Sequence, residues 1–265
     1  MGVEAVSEVV QTCVVGDEKE MVVSIDAPIR FSHLRAYGRS AAHGYHARLQ
    51  DPAVTGAMQR GTAVHALMFG TRKVMGWDGV QRRGKAYDEF VAANPDVEIL
   101  TASEYDKANA MVRALRACKA AEPVLQGIAE QTIYFDWYGR KCRATPDIRG
   151  DGFVTELKTA KSSDPAQFQW ASLRMAYHAQ LKMQNVATNT DVSYLVCVES
   201  AEPYPVTVFR VTDEALLEGE KLLTLWMERL INCEKADYYP PYVECIVPLD
   251  VPTPDVDLDY GDSDD

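Results

Sequence analysis

Apolar residues recur at helical spacing in four stretches of the first half of the chain, near residues 31–38, 57–69, 84–93 and 102–120. The last two are also rich in Ala, Lys and Glu, which favour helix wherever packing does not decide. After a weakly patterned lead-in over 1–25, the first half is therefore expected to be helical. The period then changes. In EQTIYFDWY (130–138) β-favouring residues alternate, Gly139 marks a turn, and KCRATPDIR (141–149) and FVTELK (153–158) read as two further strands. Pro165 suits the first turn of a helix, and the next 20 residues hold neither Pro nor Gly, which predicts one long helix over 165–186. Strands over 191–198 and 204–211 lead to an amphipathic helix over 213–234, begun at Thr212 or Asp213. The resulting order, αβββαββα, is α/β and shows no internal repeat.

A chain of 265 residues, 47% hydrophobic and 25% charged, is long enough for one sizeable core, so residues 26–247 are expected to form a single domain. No apolar run approaches the roughly 18 residues that suggest a membrane span, and the N-terminus lacks the basic start and apolar centre of a signal peptide. The expectation is a soluble, cytoplasmic protein with no membrane partner. Its six cysteines are scattered, with no CxxC and no paired Cys/His spacing, so they read as reduced thiols, indicating neither zinc nor a disulfide framework.

The net charge of −12 argues at first against a nucleic-acid partner. Its distribution changes that picture. Seven aspartates and no positive charge lie in the last 18 residues, PLDVPTPDVDLDYGDSDD, a composition that predicts a disordered tail over 248–265 and a body of only about −5. Two basic islands stand out in that body. Residues 139–161 carry Arg140, Lys141, Arg143, Arg149, Lys158 and Lys161 against three acids. Residues 27–50 carry Arg30, Arg35, Arg39 and Arg48 with no acid, interleaved with Phe31, Tyr37 and Tyr45. Each island reads either as solvated surface charge or as a grip on phosphates by charge and stacking.

Chemistry concentrates in the second strand pair. Asp151-Gly152 is a favoured two-residue hairpin loop, so Gly150 is expected to pair with Phe153, Arg149 with Val154 and, along the ladder, Asp147 with Glu156. Opposed positions have Cβ atoms about 5 Å apart on one face, and Lys158 shares that face because a strand repeats every two residues. Two readings stay open: a surface hairpin with exposed ion pairs, or two carboxylates neutralised by a hard cation such as Mg²⁺ or Mn²⁺, with the ammonium beside them. Upstream, GTAVHALMFG sets His65 four residues after Gly61, whose missing side chain would let another segment approach. A histidine among apolar residues is a hydrogen-bonded core side chain or a ligand. Glu130 is a strand-edge residue or a further carboxylate. Ser162 and Ser163, beside Lys161, read as caps of the turn before the Pro165 helix.

Taken together, Gly61 and His65, Glu130, Pro146-Asp147, Glu156-Leu157-Lys158 and Tyr177-His178-Ala179-Gln180 resemble the PD-(D/E)XK nuclease superfamily. Within its RecB-like branch they are most similar to the RecE-type (exonuclease VIII) phage and prophage exonucleases, in element order over about residues 30–235. The resemblance implies a restriction-endonuclease-like core, a mixed central sheet of αβββαβ type with helical N-terminal additions. It implies that His65, Asp147, Glu156 and the main-chain carbonyl of Leu157 ligate Mg²⁺, with Glu130 holding the metal or its water. Lys158 would then assist the nucleophile, and Gln180 would take the glutamine position of the branch's Q-x-x-x-Y motif. The tyrosine position of that motif is occupied by Gln184, leaving open whether Tyr177 substitutes. The clustered C-terminal cysteines of iron–sulfur relatives are missing.

The expected activity is thus Mg²⁺-dependent exonucleolytic hydrolysis of linear duplex DNA in phage-type recombination. The implied partners are a single-strand annealing protein and further copies of the chain, as a homo-oligomer that could be a ring. Expected contacts with DNA are Arg140, Lys141, Arg143, Arg149 and Lys161, with Arg30, Arg35 and Arg39 as a second group. An endonuclease or repair nuclease of the same superfamily, or an inactive DNA-binding or assembly protein, are the alternatives.

Overall fold

The two longest strands are β7 (Phe153–Ala160) and β8 (Val192–Glu199), the second a near-continuous apolar run, and both are buried through their middle. Strands of this kind pair in parallel when helices cover both faces of the sheet. They do so here from Phe153↔Val192 to Ala160↔Glu199, joined by a crossover through α6 (Pro165–Met175) and α7 (Tyr177–Thr188). β6 (Ile148–Arg149) and then β3 (Ile128–Ala129) extend the β7 edge antiparallel, and β9 (Val206–Arg210) extends the β8 edge. The result is the mixed central sheet expected, in the order β3–β6–β7–β8–β9. The computed structural model describes residues 27–50, 55–79 and 81–249; the lead-in with Cys13 and all but the first two residues of the acidic tail lie outside the described residues.

The two faces of β7 carry different cargo. Leu157 points into a cluster with Val64 of α3 (Gly56–Phe69), Met111 and Leu115 of α5 (Ala102–Ala117), and Val196 of β8. Val154, one step out of phase, packs with Phe168, Leu181 and Leu216 of α8 (Asp213–Ala236). A third cluster joins Leu34 and Tyr37 of α1 (Phe31–Arg39) to Met183 of α7 and to Leu223, Met227 and Leu230 of α8. Side-chain capping by Thr212, which accepts from Ala215 N–H, starts α8 where expected. Among the described residues no helix is long and apolar enough to cross a membrane. Burial pushes the Cys142 and Cys197 thiols up to about 11 and 12, helped by Asp136 and Glu199 respectively.

Several expected elements are corrected. The first half is not wholly helical: β1 (Lys73–Trp77) and β2 (Val97–Thr101) form a parallel pair crossed over by α4 (Lys85–Ala93). Five-residue strands that meet only across a helix leave neither an alternating run nor a hairpin signal in the sequence. α2 (Ala41–Leu49) also went unpredicted, although Ser40 caps it by accepting from His43 N–H. The expected strand over 141–149 is two strands. β5 (Arg140–Ala144) pairs with β4 (Ile133–Trp137) in a separate sheet, and the ladder lapses at Thr145-Pro146-Asp147, where proline has no N–H to donate. The helix over 165–186 is broken at Ala176, which takes left-handed φ 54° and ψ 42°. No breaker residue announces the break, and tertiary packing has overridden propensity there.

Glu234 of α8 ties three elements together. Its carboxylate pairs with buried Arg48 of α2 and accepts from Arg140 of β5 at 2.7 Å. Removing it takes the carboxylate from a buried guanidinium and from Arg140 at once, so Glu234→Ala is expected to lower unfolding free energy by about 3 kcal/mol, read as a fall in the urea midpoint.

Candidate active site

The Asp151-Gly152 hairpin forms with the expected register. Arg149 pairs with Val154, Ile148 with Thr155, and Gly150 N–H donates to Phe153 O at 2.9 Å. Gly152 takes φ 78°, open to a residue without Cβ. The ladder ends at Ile148, so Asp147 is not a ladder partner of Glu156 as expected. Freed from the strand, the Asp147 carboxylate turns inward, and its Oδ2 accepts from Leu157 N–H at 2.6 Å.

Strand periodicity sends Glu156 and Lys158 to the α7 face of β7. Glu156 is 4% exposed, and three donors converge on it. Lys158 Nζ and Gln180 Nε2 donate to Oε1, each at 2.6 Å, and Gln184 Nε2 donates to Oε2 at 2.7 Å. Gln180 and Gln184 are one helical turn apart on one face of α7. α7 itself is packed tightly against α8, since a Cβ at Gly219 would lie 2.7 Å from His178 O and 2.9 Å from Ala179 Cα. Lys158 Nζ also sits 4.9 Å from the centroid of the Tyr177 ring, a cation–π contact. Tyr177 and Gln184, left open by the sequence, thus touch Lys158 and Glu156 respectively, and the i, i+4 spacing of the two glutamines was the signal available for Gln184.

α3 supplies the imidazole. His65 Nδ1 lies 3.1 Å from Asp147 Oδ1, and Nε2 lies 3.0 Å from Leu157 O. Gly61, by contrast, is not needed for a close approach: a Cβ there would meet Thr159 Oγ1 at 3.5 Å, an ordinary contact. Glu130 does not open a strand either. It occupies a left-handed turn between β3 and β4, φ 48°, with its N–H donating to Asp147 O at 3.1 Å.

The electrostatics follow from two acids in a buried space. Burial, then the Asp147 charge, push the Glu156 carboxyl above the usual range, against the pull of Lys158 and Gln184. Burial alone would lower the Lys158 and His65 values, but the acids outweigh it: Glu156 and Asp147 raise Lys158, and Asp147 raises His65. The site is one that favours cations.

A cleft of about 560 Å³ opens beside these groups, lined by Asp147, Glu130, Gln180 and Gln184 and by Arg30, Phe31, Arg72 and Arg143. Among the residues expected to meet DNA, Arg30 and Arg143 line it. Others are engaged elsewhere: Arg140 with Glu234, Lys141 with Asp136, Arg149 with Gln131, Arg35 with the Met175 sulfur and Arg39 with Tyr242. Lys161 is exposed at the end of β7 and is not among the lining residues. Tyr37, expected to stack on a strand, is fully buried, and Arg48 is buried against Glu234. Ser162 Oγ accepts from Asp164 N–H, but the cap of α6 is Asp164, which accepts from Gln167 N–H, while Ser163 bonds Glu199.

Among the described residues no three His, Cys, Asp or Glu side chains form a ready-made metal cage. A hard divalent cation needs less, since Mg²⁺ keeps several waters and takes one or two carboxylates. The Asp147 and Glu156 carboxylates, the Leu157 carbonyl and the His65 imidazole are a donor set that fits it.

A family model described as a PDDEXK-like domain of unknown function (DUF3799) matches residues 31–247. No curated protein shows significant sequence similarity to the chain. Among solved structures, the chain is similar to one from Eubacterium rectale that carries a provisional designation as an exonuclease, with TM-score 0.57 and 15% identity over 94% of this chain and 100% of that one. It is more distantly similar to an alkaline exonuclease from Laribacter hongkongensis, TM-score 0.36 and 13% identity over 79% and 91%. A phage-related exonuclease from Haemophilus somnus gives TM-score 0.37 and 10% identity over 80% and 97%. These identities speak to fold alone, and the last two scores carry no structural argument.

Proposed function

The chain belongs to the PDDEXK-like family DUF3799, with the fold of PD-(D/E)XK nucleases, and from that premise we propose that it is a Mg²⁺-dependent exonuclease acting on linear double-stranded DNA. The observation that carries this reading is the convergence of His65, Asp147, Glu156, Lys158 and Gln180 from α3, the β6 edge, β7 and α7. The choice of exonuclease over endonuclease follows the likeness of the motif blocks around His65, Asp147, Glu156-Leu157-Lys158 and Gln180 to those of the RecE-type exonucleases.

In this reading His65, Asp147, Glu156 and the Leu157 carbonyl hold the metal, and Glu130 lies beside them. When bound, Mg²⁺ supplies Lewis-acid activation of water and stabilises charge on the attacking and leaving oxygens. The residues of the chain do the rest. Lys158, kept charged by Glu156 and Asp147 and steadied on the Tyr177 ring, orients the attacking water and offsets negative charge on the phosphoryl oxygens. Gln180 and Gln184 hold Glu156 in place. Water adds to phosphorus and gives up a proton to solvent, one of the two P–O bonds to sugar breaks, the leaving oxygen takes up a proton from solvent, and no covalent enzyme intermediate is needed. Arg30 and Arg143 on the cleft wall meet the phosphates. The biological setting is end resection for phage-type recombination in the cytoplasm, beside a single-strand annealing protein and as a homo-oligomer.

Linear and covalently closed duplex, each incubated with Mg²⁺ and with Mg²⁺ plus chelator, test this directly. Loss of the linear form alone, blocked by chelator, is the expected result. Nicking of the closed circle, or inertness of both substrates, would overturn it.

A further inference from the structure

Carboxylates outnumber lysine and arginine in this chain by 39 to 27, so where unpaired guanidinium groups share one cleft with an acidic site, that placement calls for an account. Several cations elsewhere in the fold are matched to an acid. Arg82 and Arg60 pair with Glu104, Arg140 with Glu234, and Lys141 with Asp136. Arg72 and Arg143 do not: both line the cleft that holds Asp147, and neither side chain has a hydrogen bond or ion pair among the described residues.

Their placement is not accidental to the fold. α3, which carries His65, ends at the left-handed cap Gly70, whose N–H donates to Ala66 O at 2.8 Å. Two residues later stands Arg72, at the entry to β1 and so to the β1–α4–β2 unit. Arg143 comes from β5, in the other two-stranded sheet. Each small sheet outside the central one therefore contributes one unpaired guanidinium to the same cleft. Guanidinium groups match phosphate oxygens in geometry as well as charge, and without acids of their own they have counterions to give up on binding.

We propose that Arg72 and Arg143 form a two-point grip on the backbone phosphates of a nucleic-acid strand, and that the β1–α4–β2 unit holds the Arg72 half of it. The proposal rests on the nuclease reading above and adds to it a residue and a unit that the sequence motifs do not reach.

The test is the salt dependence of binding of a short labelled duplex, followed by fluorescence anisotropy in EDTA so that no strand is cut. Each phosphate contact contributes about 0.9 to the slope of log K against log salt. Arg72→Gln is expected to lower the slope by about 0.9, and Arg72→Gln with Arg143→Gln by about twice that. Arg72→Lys should recover most of the slope. Lys85→Gln removes one exposed charge from the same unit and should leave the slope unchanged. If Arg72→Gln binds with the wild-type slope, or if Lys85→Gln lowers the slope equally, the grip is refuted while the nuclease reading stands. If the wild type binds no duplex at any salt and cuts none with Mg²⁺, both fall.

Discussion

Lys158→Ala is expected to lower cleavage of linear duplex by at least about 10³-fold, with the protein still folded. Three observations set the size of the effect. The ammonium is one of three donors on buried Glu156, it lies against the Tyr177 ring, and the neighbouring acids hold its proton firmly. Among the described residues no other lysine or arginine pairs with Glu156, so nothing on β7 or α7 replaces the charge. The fold survives because Glu156 already sits above the usual carboxylate range: without Lys158 it takes up a proton, and the Gln180 and Gln184 bonds remain. Cleavage assays and circular dichroism on the same preparation separate the two effects. Cutting at the wild-type rate would remove Lys158 from the chemistry.

The parts of this site legible in the sequence are those governed by local geometry. A two-residue loop and a period of two place Asp147, Glu156 and Lys158 near one another without any knowledge of the rest of the chain. The helix over Asp213–Ala236 was equally plain, because a capping threonine precedes a long amphipathic run. What escaped depends on distant partners. β1 and β2 become strands only by meeting each other across α4. The left-handed turn at Ala176 separates α6 from α7, and α7 then packs on β7 and α8 with both glutamines on Glu156. The basic island over 27–50 looked uniform as sequence, yet Arg48 went into the core against Glu234, Tyr37 was buried whole, and Arg30 and Phe31 alone of the expected strand-gripping residues there line the cleft. Charge counts along a chain cannot tell a cation matched by a remote carboxylate from one left bare, nor which bare ones line the cleft, as Arg72 and Arg143 do.

Asp147→Asn is expected to stop cleavage to a similar extent, at least about 10³-fold, and in addition to change how stability responds to pH. Asparagine is nearly isosteric and its amide oxygen can still accept from Leu157 N–H, so the hairpin is retained. The charge beside His65 Nδ1 is lost. In the wild type that charge overcomes burial and holds the His65 value above its ordinary position. A raised folded value means that the protonated histidine contributes stability fully below its unfolded value, and that this contribution is lost as pH rises through the folded value. In the variant burial and the Lys158 charge pull the folded value down with less to oppose them, so the protonated histidine contributes less stability as pH falls. Wild type should therefore exceed Asp147→Asn in stability most strongly at acid pH, by a margin that shrinks on passing through the histidine range. Urea titrations of both proteins in EDTA across that range read the margin, and the imidazole proton resonances in the same buffers read the His65 titration itself. A margin that does not vary with pH would mean that His65 and Asp147 are not coupled as their 3.1 Å separation implies.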